Sequence, residues 1–326
     1  MNRRNVLKLA GRLAAAQALG LLGGVGPAAA IAAPHSYANP VDAWLRRVRT
    51  RHGEIAYLAR GAGRAALFLH GFPLTGFQWR GAIELLAPYR FCVAPDFLGM
   101  GQSRAAPGQS VTPEAQVEML TGLLDALGIE SVDLIANDSG GAVAQLFVVR
   151  HARRVRSLLL TNCDTEIESP PPAMLPVIEL ARRGRFVEEQ LKPWARGPIL
   201  ARSERGIGGQ CYMDPAHPTD EALRVYFGQL LESAERVRGL HSYAVALGRN
   251  ALSGIRPALS TCRVPTRVVW GVDDTIFSAK SARYLAESFG NSRGLRLLEN
   301  AKLFWPEERP EVIAAQARIL WESARG

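Results

Sequence analysis

The chain has 326 residues, enough for one large domain or two small ones, and 39 Lys plus Arg against 30 Asp plus Glu leave it at +9. With 48% apolar and 21% charged residues, 31 Gly and 20 Pro, it has the make-up of a globular protein, which excludes disordered, collagen-like and coiled-coil classes. Arg3, Arg4, Lys8 and Arg12 carry four of the surplus positive charges and leave +5 for the rest. That remainder is scattered without a basic run or basic-aromatic ribbon, so it reads as solvation and not as a nucleic-acid footprint.

Residues 1–8 read MNRRNVLK, and an Ala/Leu/Gly-rich stretch runs over 13–31. Twin arginines ahead of an apolar stretch resemble a bacterial Tat signal peptide. Gly20, Gly23, Gly24, Gly26 and Pro27 weaken the stretch as a stable membrane span, and Ala30-Ile31-Ala32 supplies the small residues a signal peptidase accepts. Residues 1–32 are therefore expected to be removed, with the Tat export machinery as the precursor's partner and the periplasm or exterior as the working compartment. An uncleaved anchor is the alternative.

Beyond that point, short strand-like runs at 66–70, 91–94, 132–136, 155–161, 267–270 and 295–298 alternate with helix-period segments. Several runs are apolar on both faces, as buried parallel strands require. The helical segments include 113–127 behind a Thr112 cap, 141–151 and 281–289. This rhythm predicts an α/β fold with a doubly wound, mostly parallel sheet. It breaks over 166–254, where Pro170, Pro171, Pro172 and Pro176 lead into helix-like segments, the pattern of a lid inserted between a first core part (33–165) and a second (255–326). Cys92, Cys163, Cys211 and Cys262 are too widely spaced for a metal or redox motif and are expected as buried thiols.

The strand at 132–136 runs through Asn137-Asp138-Ser139-Gly140-Gly141 directly into a helix, the context of a nucleophile elbow. Such a turn needs small residues two before and two after the nucleophile. Asp138 has Ala136 and Gly140 there; Ser139 has the bulkier Asn137 and Gly141, so Asp138 is favoured and Ser139 remains the alternative. An Asx turn that caps the helix without chemistry is the third possibility.

HGFP at 70–73, APDFLGMGQS at 94–103, the elbow, and GVDD at 271–274 occur in the order of the α/β-hydrolase superfamily, which the chain resembles over almost its whole mature length. An acid at the elbow narrows the resemblance to the epoxide hydrolase and haloalkane dehalogenase branch. The resemblance implies an oxyanion hole from the backbone amides of Phe72 and Ser139 and a catalytic acid at Asp274, with Asp164 a weaker substitute and Asp273 a turn residue. It also implies a histidine after the last strand, and there the chain departs from the pattern. Leu303 occupies that position, and no histidine follows His241. His241, and less readily His217, are candidate replacements from the lid; His70 is structural in this family. Tyr212, Tyr226 and Tyr243 are candidate lid acids for opening an epoxide, while Ser139 stands where dehalogenases carry a halide-binding Trp.

The expected activity is that of an exported hydrolase in which Asp138 attacks a small apolar electrophile through an ester intermediate. A Ser139 esterase, or an impaired binding or sensory protein on the same fold, is the alternative. No cofactor or metal is implied, because there is no dinucleotide fingerprint and no ligand cluster.

Overall fold

Consecutive buried residues that alternate between two apolar layers set the middle of the sheet. In β3 (Ala65–Leu69), Leu67 and Leu69 join one hydrophobic core while Ala66 and Phe68 join the other. In β7 (Val155–Cys163), Leu158 and Leu160 face the first core and Leu159 the second. The computed structural model describes residues 40–323; the signal-peptide expectation for residues 1–32 lies outside them. The remaining strands are β1 (Leu45–Thr50), β2 (Gly53–Arg60), β4 (Phe91–Pro95), β5 (Arg104–Ala105), β6 (Val132–Asp138), β8 (Thr266–Gly271) and β9 (Ser292–Leu298).

Their order across the sheet is β1-β2-β4-β3-β6-β7-β8-β9, with β5 paired to β2. From β4 to β9 the pairing is parallel, and β1 and β2 form an antiparallel margin. All six strands expected from the sequence are present. The β1–β2 hairpin was not expected, because Arg46, Arg47 and Arg49 face outward on the edge strand and disguise it. β9 departs from the double-sided burial expected of its run: it closes the other edge and is mostly exposed.

Helices cover both faces. Thr112 caps the helix Pro113–Ala126 by accepting from the Ala115 amide at 3.3 Å. The helix Ser139–Arg150 starts immediately after β6, two residues earlier than its periodicity suggests. Between β7 and β8 the chain is helical, with Met174–Arg182, Asp220–Phe227 and Ala234–Ala246 as the longer elements. No helix among the described residues is long and apolar enough to cross a membrane. All four cysteines are free and buried.

Candidate active site at the elbow

The parallel strands deliver their C-terminal ends, and the turns that follow them, to one edge of the sheet. At the end of β6, Asp138 has φ 55° and ψ −133°, a conformation that costs a non-glycine residue about 1–3 kcal/mol. Close packing enforces it. A Cβ on Gly71 would lie 2.5 Å from that of Asp138, and one on Gly140 would lie 2.5 Å from the His70 carbonyl oxygen. The strain falls on Asp138, and Ser139 is already the first residue of the helix.

Two amides converge on the same oxygen of this carboxylate. Phe72 N–H donates to Asp138 Oδ1 at 2.9 Å, and Ser139 N–H donates to it as well. The sequence-derived oxyanion pair and the candidate nucleophile are thus in direct contact. The Phe72 amide is aimed by a relay of side-chain amides: Gln78 Oε1 accepts from Gly71 N–H at 3.0 Å, and Gln78 Nε2 donates to Asn137 Oδ1 at 2.6 Å. Asn137 Nδ2 in turn donates to Thr161 Oγ1 and to the carbonyl oxygens of Asn162 and Leu303. Asn137, too bulky for the Ser139 register, instead ties the elbow to β7 and to the 301–304 loop.

Asp138 is buried, which pushes its carboxyl up to about 6, although the hydrogen bonds from Phe72 and Ser139 pull the other way. Two further carboxyls share the edge. Asp138 pairs in register with Cys163, so Asp164 follows directly beside it; burial, and then the Asp138 charge, push Asp164 up to about 7. Asp274 Oδ1 accepts from Ile276 N–H and Oδ2 from Asn162 Nδ2, both at 2.8 Å; burial lifts it to about 7, and Asp138 adds to the rise. Asn162 is the hub on this side, accepting also from Gly271 N–H and from Trp305 Nε1. Among the described residues no group of His, Cys, Asp and Glu is arranged to hold a metal ion.

The histidine candidates lie elsewhere. Leu303 is buried in the core at the position where the resemblance placed an imidazole. His241 is turned away: its Nε2 accepts from Val187 N–H at 3.1 Å, and burial holds its pKa down. It sits two residues before Tyr243 on one helix, about 200° around the axis, so it cannot face the site that Tyr243 faces. His217 contacts Asp214 and stacks on Tyr212 near the surface. His70 is locked, with Nδ1 2.9 Å from the Gly71 carbonyl oxygen and Nε2 accepting from Phe97 N–H; burial lowers its pKa to about 4.

Of the three tyrosines only Tyr243 reaches the elbow, donating to Ser139 Oγ at 3.2 Å from between the rings of Phe72 and Phe97. Ser139, next to the nucleophile, also pulls the Asp138 pKa down. Tyr212 and Tyr226, expected as lid acids, are committed to the buried Glu307, donating to its Oε2 at 2.7 and 3.0 Å while Arg80 pairs with Oε1 at 2.7 Å. They fasten the lid to the core and do not point at Asp138. Cys211, expected as a buried thiol, is one, and it is pushed well up by burial and then by Asp274 and Asp138. Gln78 and Asn162 were not anticipated from the sequence, since no local pattern marks an amide whose partners lie 59 and 112 positions away.

A family profile described as alpha/beta hydrolase fold matches residues 66–302. Haloalkane dehalogenase 2 of Mycobacterium tuberculosis is 26% identical over 275 residues, covering 81% of this chain and 90% of that protein. Epoxide hydrolase 2 of Siraitia grosvenorii is 40% identical over a shorter stretch of 101 residues, 30% of this chain and 32% of that protein. Among solved structures, a thermophilic esterase from Thermogutta terrifontis superposes with a TM-score of 0.67 at 24% identity, covering 86% of this chain and 99% of the esterase, a likeness of fold alone. The chain belongs to the α/β-hydrolase fold family, and its curated relatives include a haloalkane dehalogenase and an epoxide hydrolase.

Proposed function

We propose that Asp138 is a carboxylate nucleophile that attacks a small apolar electrophile, an epoxide or an alkyl halide, at saturated carbon and forms an ester. The observation that carries this reading is the pair of amides on Asp138 Oδ1 at the strained turn. They leave the second oxygen to attack and keep Oδ1 where an ester carbonyl becomes an oxyanion when water adds. With an alkyl halide, the halide departs as the new C–O bond forms. With an epoxide, the ring C–O bond breaks and the ring oxygen takes a proton, for which Tyr243, hydrogen-bonded to the Ser139 hydroxyl beside the nucleophile, is the donor. The wall of Phe72, Phe186 and Tyr243 rings suits an apolar substrate.

The water step has no imidazole. Esterification neutralises Asp138 and removes its repulsion from Asp164 and Asp274, so both ionise more readily just when a base is required. With no imidazole to orient and deprotonate the attacking water, the ester forms faster than it is hydrolysed. The twin-arginine segment supports export, and the proposed reaction is then one carried out beyond the cytoplasm.

Treatment with an aryl epoxide, followed by intact-mass and peptide analysis, tests the reading. A single adduct on the peptide of Asp138, lost in Asp138→Asn and kept in Ser139→Ala, is the expected outcome. An adduct on Ser139 would make the protein an esterase-like nucleophile, and reversible binding with no adduct would make it a binder.

A further inference from the structure

A groove of about 700 Å³ runs between the 99–112 loop and the helix Ala234–Ala246. That volume suits a small organic molecule. Its floor depends on direct backbone contact, since a Cβ on Gly99 would lie 2.8 Å from the Gly239 carbonyl oxygen. Val111, Leu230, Leu240 and Val245 give it an apolar side.

Its charge is unbalanced. Arg104, Arg236 and Arg238 line it against one carboxylate, Glu235, and none of the three guanidinium groups is in an ion pair among the described residues. Arg236 donates to the Gly101 carbonyl oxygen, which fixes its head at the groove. Burial lowers the Arg236 pKa, and the charge of the exposed Arg104 lowers it further, so the half-buried Arg236 faces a second positive charge. The nearby Asp96 offsets them only in part: its charge raises the Arg236 pKa, but its oxygens already accept from the Gly76 and Gln102 amides. On the same wall, Gln229 has a buried Oε1 with no donor among the described residues.

We propose that this groove is a second ligand site, separate from Asp138, for a small hydroxy-carboxylate with an apolar tail. The carboxylate neutralises Arg104 and Arg236, the hydroxyl donates to Gln229, and the tail covers the apolar side.

The test is calorimetric titration of the full chain with 2-hydroxyhexanoate, its neutral amide, hexanoate and inorganic phosphate. Saturable binding of the hydroxy acid is expected, at least about tenfold tighter than the amide and weakened about tenfold by Arg236→Gln or by Arg104→Gln, the size of one charge-assisted hydrogen bond. Arg104 is exposed on its short strand, so its variant keeps the test valid if Arg236→Gln loosens the helix. Asp138→Ala should bind unchanged, and both arginine variants should alkylate at Asp138 as the wild type does. Acid and amide binding alike, or binding indifferent to both arginines, would overturn the site. Phosphate binding as tightly would remove the tail, and hexanoate binding as tightly would remove the hydroxyl. Loss of alkylation together with ligand binding would make the groove part of the Asp138 site.

Discussion

Asp164→Asn removes one charge from the crowded edge without changing shape, and the structure fixes both the sign and the size of its effect. Asp164 titrates at 3.8 when solvated and about 7 in the folded chain, so between about pH 4 and 7 the folded state binds more protons than the unfolded one. Stability from this group is therefore complete below pH 4 and is lost as pH rises through 7. A rise from 3.8 to about 7 sets a ceiling of about 4 kcal/mol at pH 8, and the share owed to Asp138 repulsion brings the working expectation to about 2 kcal/mol. Asparagine cannot ionise and keeps the shape of the side chain. Urea unfolding of wild type and variant, run from pH 4 to pH 8, should show near-equal stability at the acid end and a growing advantage for the variant toward pH 8. A constant difference, or one of opposite slope, would mean that a cation or water neutralises the edge and that the crowding of carboxyls is misread.

Tyr243→Phe should slow alkylation by an epoxide about 10²-fold, the low end of general-acid effects, and leave alkylation by a bromoalkane nearly unchanged, because a departing halide needs no proton. Equal loss with both reagents, measured by intact mass against time, would make Tyr243 a packing residue. Leu303→His should shorten the life of the Asp138 ester by about 10²- to 10⁴-fold, at the expense of about 1–3 kcal/mol of core stability; an unchanged lifetime in a folded variant would place Leu303 outside the catalytic line. Exported protein should begin near Ala33, and Arg3→Lys with Arg4→Lys should hold it in the cytoplasm. N-terminal sequencing of the periplasmic fraction checks this, and an intact Met1 there would contradict it.

The central strands were legible because burial on both faces leaves a continuous apolar run, as in Ala66 to Leu69, and the elbow was legible because only small residues fit around a left-handed turn. The β1–β2 hairpin was hidden by an edge strand whose arginines mimic a surface helix, and β9 because an edge needs little apolar cover. At the site, the amides of Phe72 and Ser139 and the carboxyls of Asp164 and Asp274 were implied by the family resemblance. The roles of the lid tyrosines were not, since Tyr212 and Tyr226 are claimed by Glu307, 95 and 81 positions away. His241 and Tyr243 look equally available in the sequence, and only helical geometry separates them.

The most direct test of the ester chemistry is a quenched time course with excess aryl epoxide, in which free diol and the mass of the Asp138 peptide are followed together. One adduct per chain should accumulate on that peptide, with diol released afterwards and slowly. Many turnovers of diol while the Asp138 peptide stays unmodified would contradict the account.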